Sequence, residues 1–243
     1  AQAVLAEEAE HMAIPARAHV CTAFWVLVVA ASLWCDTGWS RDIVVVAKLA
    51  WHRIKASATA PVLPHLFEFF IIMVFVAATV IPFGMATGFL KCQFADVECW
   101  RVIISALFLF LNPGILEEIL FRVLPLSMNG PVLMIRILLL LAAFVICYHL
   151  DTVHLSSAAP LVNVFHDWRF LFLALILGIA CTSMYLISGS LWLAAIMHAG
   201  IVWIWAIFFG GYERCKVGEL PRTRPDSFQQ IGQAEKGFCA TLG

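Results

Sequence analysis

Long apolar runs separated by short polar stretches dominate the 243-residue chain. A membrane-spanning helix needs roughly 20 mostly apolar residues, and six runs come close to or exceed that length. They cover residues 19–35, 65–90, 101–126, 132–150, 168–187 and 191–209. In lipid, helices are one of only two structures in which every backbone N–H and C=O group forms a hydrogen bond. We therefore predict an all-α fold, a polytopic membrane bundle of about six transmembrane helices.

A shorter apolar run, residues 43–51, lies between the first two spans and has basic residues around it. This pattern is typical of a helix in the membrane interface, or of a short re-entrant piece. We therefore expect an N-terminal polar or interfacial segment over 1–17, a transmembrane bundle over 18–209 and a polar tail over 210–243. The missing initiator methionine suggests a processed chain, and a tail of this polarity is expected to be held by a partner.

Composition agrees with a membrane protein, because 63% of residues are hydrophobic, 13% are charged and the mean hydropathy is +0.93. The net charge of −1 gives no reason to expect nucleic acid as a partner. None of the eight cysteines has zinc-finger spacing. Four of them fall outside the spans, on the side of the membrane where the termini lie: Cys92, Cys99, Cys215 and Cys239. The sequence allows either two local disulfides, Cys92–Cys99 and Cys215–Cys239, or four free thiols.

Three charges, Glu117, Glu118 and Arg122, lie inside the third apolar run. Each charge costs roughly 2.5 to 3.5 kcal/mol at the centre of a membrane helix, so such residues face a protein interior or a wet cavity. Glu118 and Arg122 are four residues apart and can pair on one helix face. Glu117 points about 100° away from Glu118, which makes it the candidate free carboxylate. The alternative is a structural ion pair that locks helix packing.

The sequence Asn112-Pro113-Gly114 interrupts the same run just before the two glutamates. Proline removes a backbone donor and glycine loosens the turn. Irregular backbone at membrane depth is tolerated where it lines a cavity. We therefore expect a broken helix with a cavity beside the carboxylates.

Two histidines, His149 and His198, lie in the fourth and sixth runs. By helical rise, Glu117 and His198 are at similar depths and can share a cavity, which His149 joins only if its helix tilts or starts late. A carboxylate facing imidazoles is suited to activating water against an amide. Two histidines and a glutamate are also a possible zinc set, although no His-Glu-x-x-His spacing supports it. Membrane histidines that ligate a chlorophyll magnesium are a third possibility.

Two stretches resemble motifs of the CAAX prenyl protease and bacteriocin-processing (CPBP, or Abi) family of intramembrane glutamyl proteases. Residues 114–126, GILEEILFRVLPL, are similar to its EExxxR motif, and residues 188–200, SGSLWLAAIMHAG, are similar to its last core motif. The resemblance covers residues 101–205. It implies catalysis without a metal or other cofactor, at a site made of Glu117, Glu118, Arg122, His149 and His198.

By this resemblance, Glu117 activates water with the help of His149, and His198 helps to hold the oxyanion. Glu118 and Arg122 then orient the first carboxylate. Family substrates are prenylated or membrane-anchored peptides, and some members are better described as membrane scaffolds.

The sequence departs from the family's pattern at two positions. The middle motif is FxxxH, but Val145 stands four residues before His149 and Phe144 is one place early. The last motif is usually HxxxN or HxxxD, and here Val202 takes the polar position. Removing one oxyanion donor typically costs about 100 to 1,000-fold in rate.

The sequence thus supports two hypotheses. The first is an intramembrane endopeptidase with membrane lipids and a membrane-anchored peptide as its partners. The second is a catalytically weakened or inactive subunit of the same fold, acting as a scaffold in a larger and possibly photosynthetic membrane complex. The plastid thylakoid is the expected membrane, with the endoplasmic reticulum and the bacterial inner membrane as alternatives.

Overall fold

The computed structural model describes residues 19–37, 42–126, 133–154 and 164–215, and the side chains of 28–37, 42–126, 133–146 and 164–214. The segment 1–17 and nearly all of the tail lie outside these residues, and so does the expected contact of the tail with a partner. The described helices are α1 (His19–Asp36), α2 (Ile43–Thr59), α3 (Leu66–Ala86), α4 (Cys99–Leu109), α5 (Leu133–His154), α6 (Trp168–Ser188), α7 (Leu191–Phe208) and α8 (Gly211–Cys215). Residues 110–123, which continue α4, are called the motif helix.

Four stretches in the described part of the chain are long and apolar enough to cross a membrane: Leu63–Ala86, Cys99–Val123, Trp168–Ser188 and Leu191–Phe208. The prediction of an all-α membrane bundle is therefore confirmed. The first predicted span forms α1, and the fourth forms α5, whose apolar part runs only over Leu133–Ile146. That part is shorter than the roughly 20 residues a span requires, so the number of six spans stays a prediction.

The predicted interfacial run is the first half of α2. The side chain of Asp42 caps this helix by accepting a hydrogen bond from the Val44 N–H at 2.8 Å. Val44 and Trp51 are exposed, whereas Ile54 packs against a buried cluster made of α1 side chains and Leu124, directly after the motif helix. This two-sidedness fits a helix that lies on the bundle with one face toward lipid.

An ion cluster around Asp36 joins α1, α2 and α5. Its carboxylate accepts hydrogen bonds from Arg53 at 2.5 Å and from Arg136 at 2.6 and 2.9 Å. Arg53 also donates to the carbonyl oxygen of Leu124, directly after the motif helix. The N-terminal helices therefore hold the C-terminal end of the motif helix in place.

Helices α6 and α7 form the centre of the bundle. They are joined by a tight turn in which Gly189 has a φ of 65°, a conformation that glycine adopts without a steric penalty. About half of their residues are buried, whereas few residues of α3 are. Because α7 packs against α6 and the motif helix, it brings His198 to the interior.

The connection between α3 and α4 is pinned to the end of α7 by backbone hydrogen bonds. The Gln93 N–H donates to the Phe208 carbonyl at 3.1 Å, and the Ala95 N–H donates to the Ile207 carbonyl at 2.8 Å. Cys92, within this connection, and Cys99, the first residue of α4, are free and exposed. The first of the two disulfides considered from the sequence is therefore not formed, and Cys239 of the second lies outside the described residues.

Asp167 caps the N-terminus of α6 and pairs with Arg169 at 2.5 Å. The hydrogen bonds from Arg169 lower the pKa of the Asp167 carboxyl and outweigh burial, which raises it. A depressed folded-state pKa stabilises the protein above the ordinary aspartate value of about 3.9, and this stability is lost as the pH falls through the folded-state pKa. We expect the melting temperature of the wild type to fall below about pH 4 more steeply than that of Asp167→Asn, as thermal unfolding in detergent across pH 2 to 6 can measure. Parallel curves for the two proteins would contradict this.

Candidate active site

The motif helix is irregular at the position where the sequence predicts a break. Asn112 has an extended backbone, with φ −143° and ψ 113°, next to Pro113. Widened, π-helical turns over Phe110–Ile115 and Ile119–Val123 flank a single α-helical turn, Leu116–Glu118. Such turns are frequent at functional sites because they re-aim side chains. Asn112 and Glu117, which are five residues apart, both line the same cavity.

Gly114 lets the motif helix approach α7 closely. A Cβ atom built on Gly114 lies 3.2 Å from the Cβ of Ala199 and 3.3 Å from the carbonyl oxygen of Ala195. These neighbours are a backbone atom and a short side chain, which cannot move aside as a long side chain can. Glycine at this position therefore brings the two glutamates within reach of His198.

Glu118 and Arg122 form a fully buried ion pair, with 2.8 Å between Glu118 Oε1 and Arg122 Nη1. Arg122 also donates to the Gly178 carbonyl at 3.2 Å and to Thr182 Oγ1 at 3.4 Å, both on α6. Burying a charge is tolerated only when it is paired and hydrogen-bonded. These bonds anchor the motif helix to α6 at the centre of the bundle.

His198 is buried and bound to the same carboxylate, with 2.8 Å between His198 Nδ1 and Glu118 Oε1. An ionised carboxylate only accepts hydrogen bonds, so Nδ1 carries the proton in this contact. The imidazole is thereby fixed in orientation, and its Nε2 points toward Glu117. Glu118 Oε1 thus receives hydrogen bonds from both Arg122 and His198.

Glu117 is the less buried of the two glutamates, with 22% of its side chain exposed against 1% for Glu118. Its Oε2 lies 3.9 Å from Nε2 of His198. This distance is too long for a direct hydrogen bond, and a shared water or substrate atom can bridge such a gap. Glu117 and His198 are therefore neighbours in one pocket, as the motif order predicts.

A cavity of about 340 Å³ opens beside this pair. Most of its walls are apolar, and α3, α6, α7 and the connection after α3 all contribute apolar side chains to them. The polar side chains that line it are Asn112, Glu117, His198 and Trp205, and Val202 is also part of the wall. The polar partner expected from the family's last motif is thus absent at position 202, and Asn112 is another polar residue of the same lining.

His149 lies in α5, and its side chain is outside the described residues, so its place in the site stays a prediction. Phe144, the early phenylalanine of the middle motif, is buried. Its ring packs edge-on against Phe121 with centroids 4.9 Å apart, and the guanidinium carbon of Arg122 lies 5.3 Å from its centroid. Phe144 therefore supports the ion pair and forms part of the cavity wall.

A possible metal-ligand set lies next to the ion pair. One atom each from Glu118, Cys181 and His198 lie within 4.8 Å of one another, and all three residues are buried. Carboxylate, thiolate and imidazole are zinc ligands. However, the guanidinium of Arg122 already binds this carboxylate at 2.8 Å, and its positive charge repels a second cation. The zinc set weighed from the sequence also needs the side chain of His149. We therefore assign no metal to these residues, and metal independence stays a prediction.

Sequence reasoning missed several groups of this site. The sequence indicates Asn112 only as part of a helix break, although this residue lines the cavity. Thr182 and the Gly178 carbonyl, which bind Arg122, lie on α6 in a run without acids or bases after Arg169. No sequence signal marks a backbone carbonyl as a ligand. An intramembrane asparagine beside Pro-Gly was a signal that could have been used.

Part of the chain matches a known protein family. Residues 99–204 match the family model described as Type II CAAX prenyl endopeptidase Rce1-like. No curated protein and no solved structure matches the chain. The matched segment includes the motif helix and His198 and nearly coincides with the predicted resemblance over residues 101–205. The predicted resemblance is thus confirmed, and this part of the chain is similar to the Rce1-like type II CAAX prenyl endopeptidases.

Proposed function

We propose that this protein is an intramembrane endopeptidase that cleaves prenylated or membrane-anchored peptides with a water activated by Glu117. One observation carries the proposal: Glu117 Oε2 and His198 Nε2 lie 3.9 Å apart at the wall of a largely apolar cavity. The match to the Rce1-like family supports the same class of reaction.

In the proposed reaction, the carboxylate of Glu117 takes a proton from water while the water oxygen bonds to the carbonyl carbon of the substrate. Negative charge then develops on the carbonyl oxygen. When the C–N bond breaks, Glu117 returns the proton to the amine that leaves. The apolar surroundings strengthen each of these electrostatic contacts relative to bulk water.

His198 and Asn112 are the candidate donors to the oxyanion. Glu118 accepts the hydrogen bond from Nδ1 of His198, which leaves Nε2 for the cavity. In this scheme His198 donates to the oxyanion from Nε2 when both ring nitrogens carry a proton. Arg122 holds Glu118 in place for this task. In this scheme Glu118 orients His198 directly.

The cavity walls fit a lipid-modified substrate. Rings and aliphatic chains make up most of the lining, among them Phe108, Phe170 and Leu177. An isoprenyl or other apolar group buried there is stabilised by about 25 cal/mol per Å² of apolar surface removed from water. A strongly charged peptide without such a group lacks this contribution.

Cleavage by the purified full chain in detergent or lipid vesicles tests the proposal. The substrates are farnesylated peptides and membrane-anchored peptides, and mass spectrometry of the products identifies the broken bond. We expect turnover that persists with a chelator and requires Glu117. The absence of such turnover on every substrate would refute the proposed activity.

Asn112 is expected to supply the donor that Val202 lacks. Asn112→Ala should lower kcat by about 100-fold or more with little change in KM, because an oxyanion donor acts mainly in the transition state. Single-turnover kinetics on the best substrate measures this.

Leu111→Ala is the matched control, because Leu111 adjoins Asn112 and is exposed like it, but does not line the cavity. Adding Val202→Asn to Asn112→Ala should restore part of the activity by returning an amide to the family's usual position. Equal activity of Asn112→Ala and Leu111→Ala would show that Asn112 is no donor.

The plastid thylakoid and the membrane partners stay predictions, as does the scaffold role, which rests on Val202 and the displaced Phe144. A purified protein that migrates as a free monomer, with a protease-sensitive tail in native membranes, would argue against the scaffold role.

A further inference from the structure

Helix α2 is held at the level where the membrane-spanning stretches end. Arg53 donates a hydrogen bond to the carbonyl oxygen of Leu124, directly after one spanning stretch. Further along α2, the carbonyl oxygen of Ala58 accepts a hydrogen bond at 2.8 Å from the indole of Trp192, at the start of another. A third spanning stretch begins at Leu63, shortly after α2 ends. Because its contacts are all with the ends of spanning stretches, α2 runs along the membrane boundary and does not cross the membrane.

The face of α2 that points away from the bundle is basic. Lys48 and Lys55 are exposed and stand two helical turns apart, which is about 10 Å along the helix. The exposed imidazole of His52 lies beside them. At 100° per residue, buried Ser57 and the guanidinium of Arg53 lie on the opposite face, toward the bundle. The two lysines therefore extend away from the protein.

No acidic side chain within α2 balances these lysines. Of the nearby aspartates, Asp36 is bound by Arg53 and Arg136 on the bundle side of the helix. Asp42 caps the N-terminus of α2, more than one turn before Lys48. The exposed face of α2 thus carries excess positive charge, which attracts a partner with negative charge.

Exposed apolar side chains share this face with the lysines. Val44, Lys48, Trp51 and Lys55 follow the helical spacing i, i+4, i+7 and i+11. Val44 is 52% exposed and Trp51 is 67% exposed. Tryptophan is enriched at the depth of lipid headgroups, and a lysine beside it can lay its methylene chain on apolar surface while its ammonium reaches the headgroups. Lysines, a tryptophan and aliphatic residues are the usual composition of helices that bind the membrane interface.

We infer that the exposed face of α2 binds the headgroups of anionic phospholipids. Lys48 and Lys55 donate charge-assisted hydrogen bonds to lipid phosphate oxygens, and the ring of Trp51 lies between them at headgroup depth. An anionic lipid is preferred to a zwitterionic one because its phosphate charge is not neutralised by a cation of the same headgroup. This binding does not depend on the proposed peptidase activity.

Quenching of Trp51 fluorescence by brominated lipids tests the inference. The purified full chain in neutral detergent micelles is titrated with brominated phosphatidylglycerol or with brominated phosphatidylcholine. The signal of Trp51 is the difference between the wild type and Trp51→Phe. We expect half-maximal quenching at a mole fraction of phosphatidylglycerol roughly twentyfold lower than that of phosphatidylcholine, since each lysine near an anionic lipid surface contributes about fivefold.

Substitution of the two lysines should remove this preference. Lys48→Gln and Lys55→Gln should each reduce it about fivefold, and the double variant should be quenched equally by both lipids. Lys91→Gln is the matched control, because Lys91 is also exposed but lies at the other end of the bundle, bonded through its backbone to Phe209 after α7. It should keep the wild-type preference.

Thermal unfolding gives a second readout. Phosphatidylglycerol should raise the melting temperature of the wild type and of Lys91→Gln more than phosphatidylcholine does, because a ligand of the folded state stabilises it. The double lysine variant should show no such difference, while its melting temperature in phosphatidylcholine stays at the wild-type value. If the double variant melts lower there, the two single variants decide the result.

Three results would overturn the inference. Quenching of wild-type Trp51 by both lipids at the same mole fraction would show lipid contact without recognition of charge. Quenching by neither lipid would show that protein, such as a second copy of the chain, covers this face. An equal loss of preference in Lys91→Gln and in the double variant would place the effect in the net charge of the protein and not in α2.

Discussion

Arg122→Leu is expected to destabilise the protein by about 3 to 5 kcal/mol, the cost of leaving a buried charge without its partner. Arg122 is 2% exposed and binds Glu118, Thr182 and the Gly178 carbonyl. Its loss leaves Glu118 with His198 as the remaining described partner for one carboxylate oxygen. Unfolding in mixed detergent micelles, followed by circular dichroism, measures the change.

Two variants control for this result. Arg101→Leu removes an exposed ion pair with Glu98, at 3.6 Å, and should cost less than about 1 kcal/mol. Glu118→Leu combined with Arg122→Leu removes both buried charges and should recover much of the loss. If Arg122→Leu and Arg101→Leu have the same free energy of unfolding, the buried pair of Glu118 and Arg122 is not a principal source of stability.

The class of fold could be predicted because hydrophobic length is enough to identify spanning helices. The boundary between the apolar runs 168–187 and 191–209 and the helix break at Asn112-Pro113 were both predicted at the right place. The number of spans could not be settled in the same way. Residues 132–150 qualify by length in the sequence, but the apolar part of α5 runs only over Leu133–Ile146.

The pairing inside the site was predictable only where the residues are close in sequence. Glu118 and Arg122 are four residues apart, and the helix alone allows them to meet. The bond from His198 to Glu118 joins residues 80 positions apart, and it depends on how α7 packs against the motif helix through Gly114. From the sequence, His198 was therefore expected to bind the oxyanion and Glu118 to orient Glu117. No contact between His198 and Glu118 was predicted.

Glu117→Gln is expected to lower kcat by at least about 1,000-fold, with the protein still folded. Glutamine has nearly the same size as glutamate but cannot take a proton from water, and general-base catalysis contributes typically about 100 to 10,000-fold. Because Glu117 is partly exposed to the cavity while Glu118 makes the buried ion pair, the substitution should leave unfolding close to that of the wild type. Cleavage of the farnesylated peptide, measured over hours, gives the ratio of rates.

Glu98→Gln makes the same chemical change at an exposed position outside the cavity, and it should retain full activity. Glu118→Gln separates the two adjacent glutamates: it should lower both stability and activity, because it weakens the contacts with Arg122 and His198 together. A wild-type rate in Glu117→Gln, with loss of activity only in Glu118→Gln, would assign the base to the buried carboxylate. Such a result would require the reacting water to reach the ion pair, although the cavity meets Glu117 and His198 first.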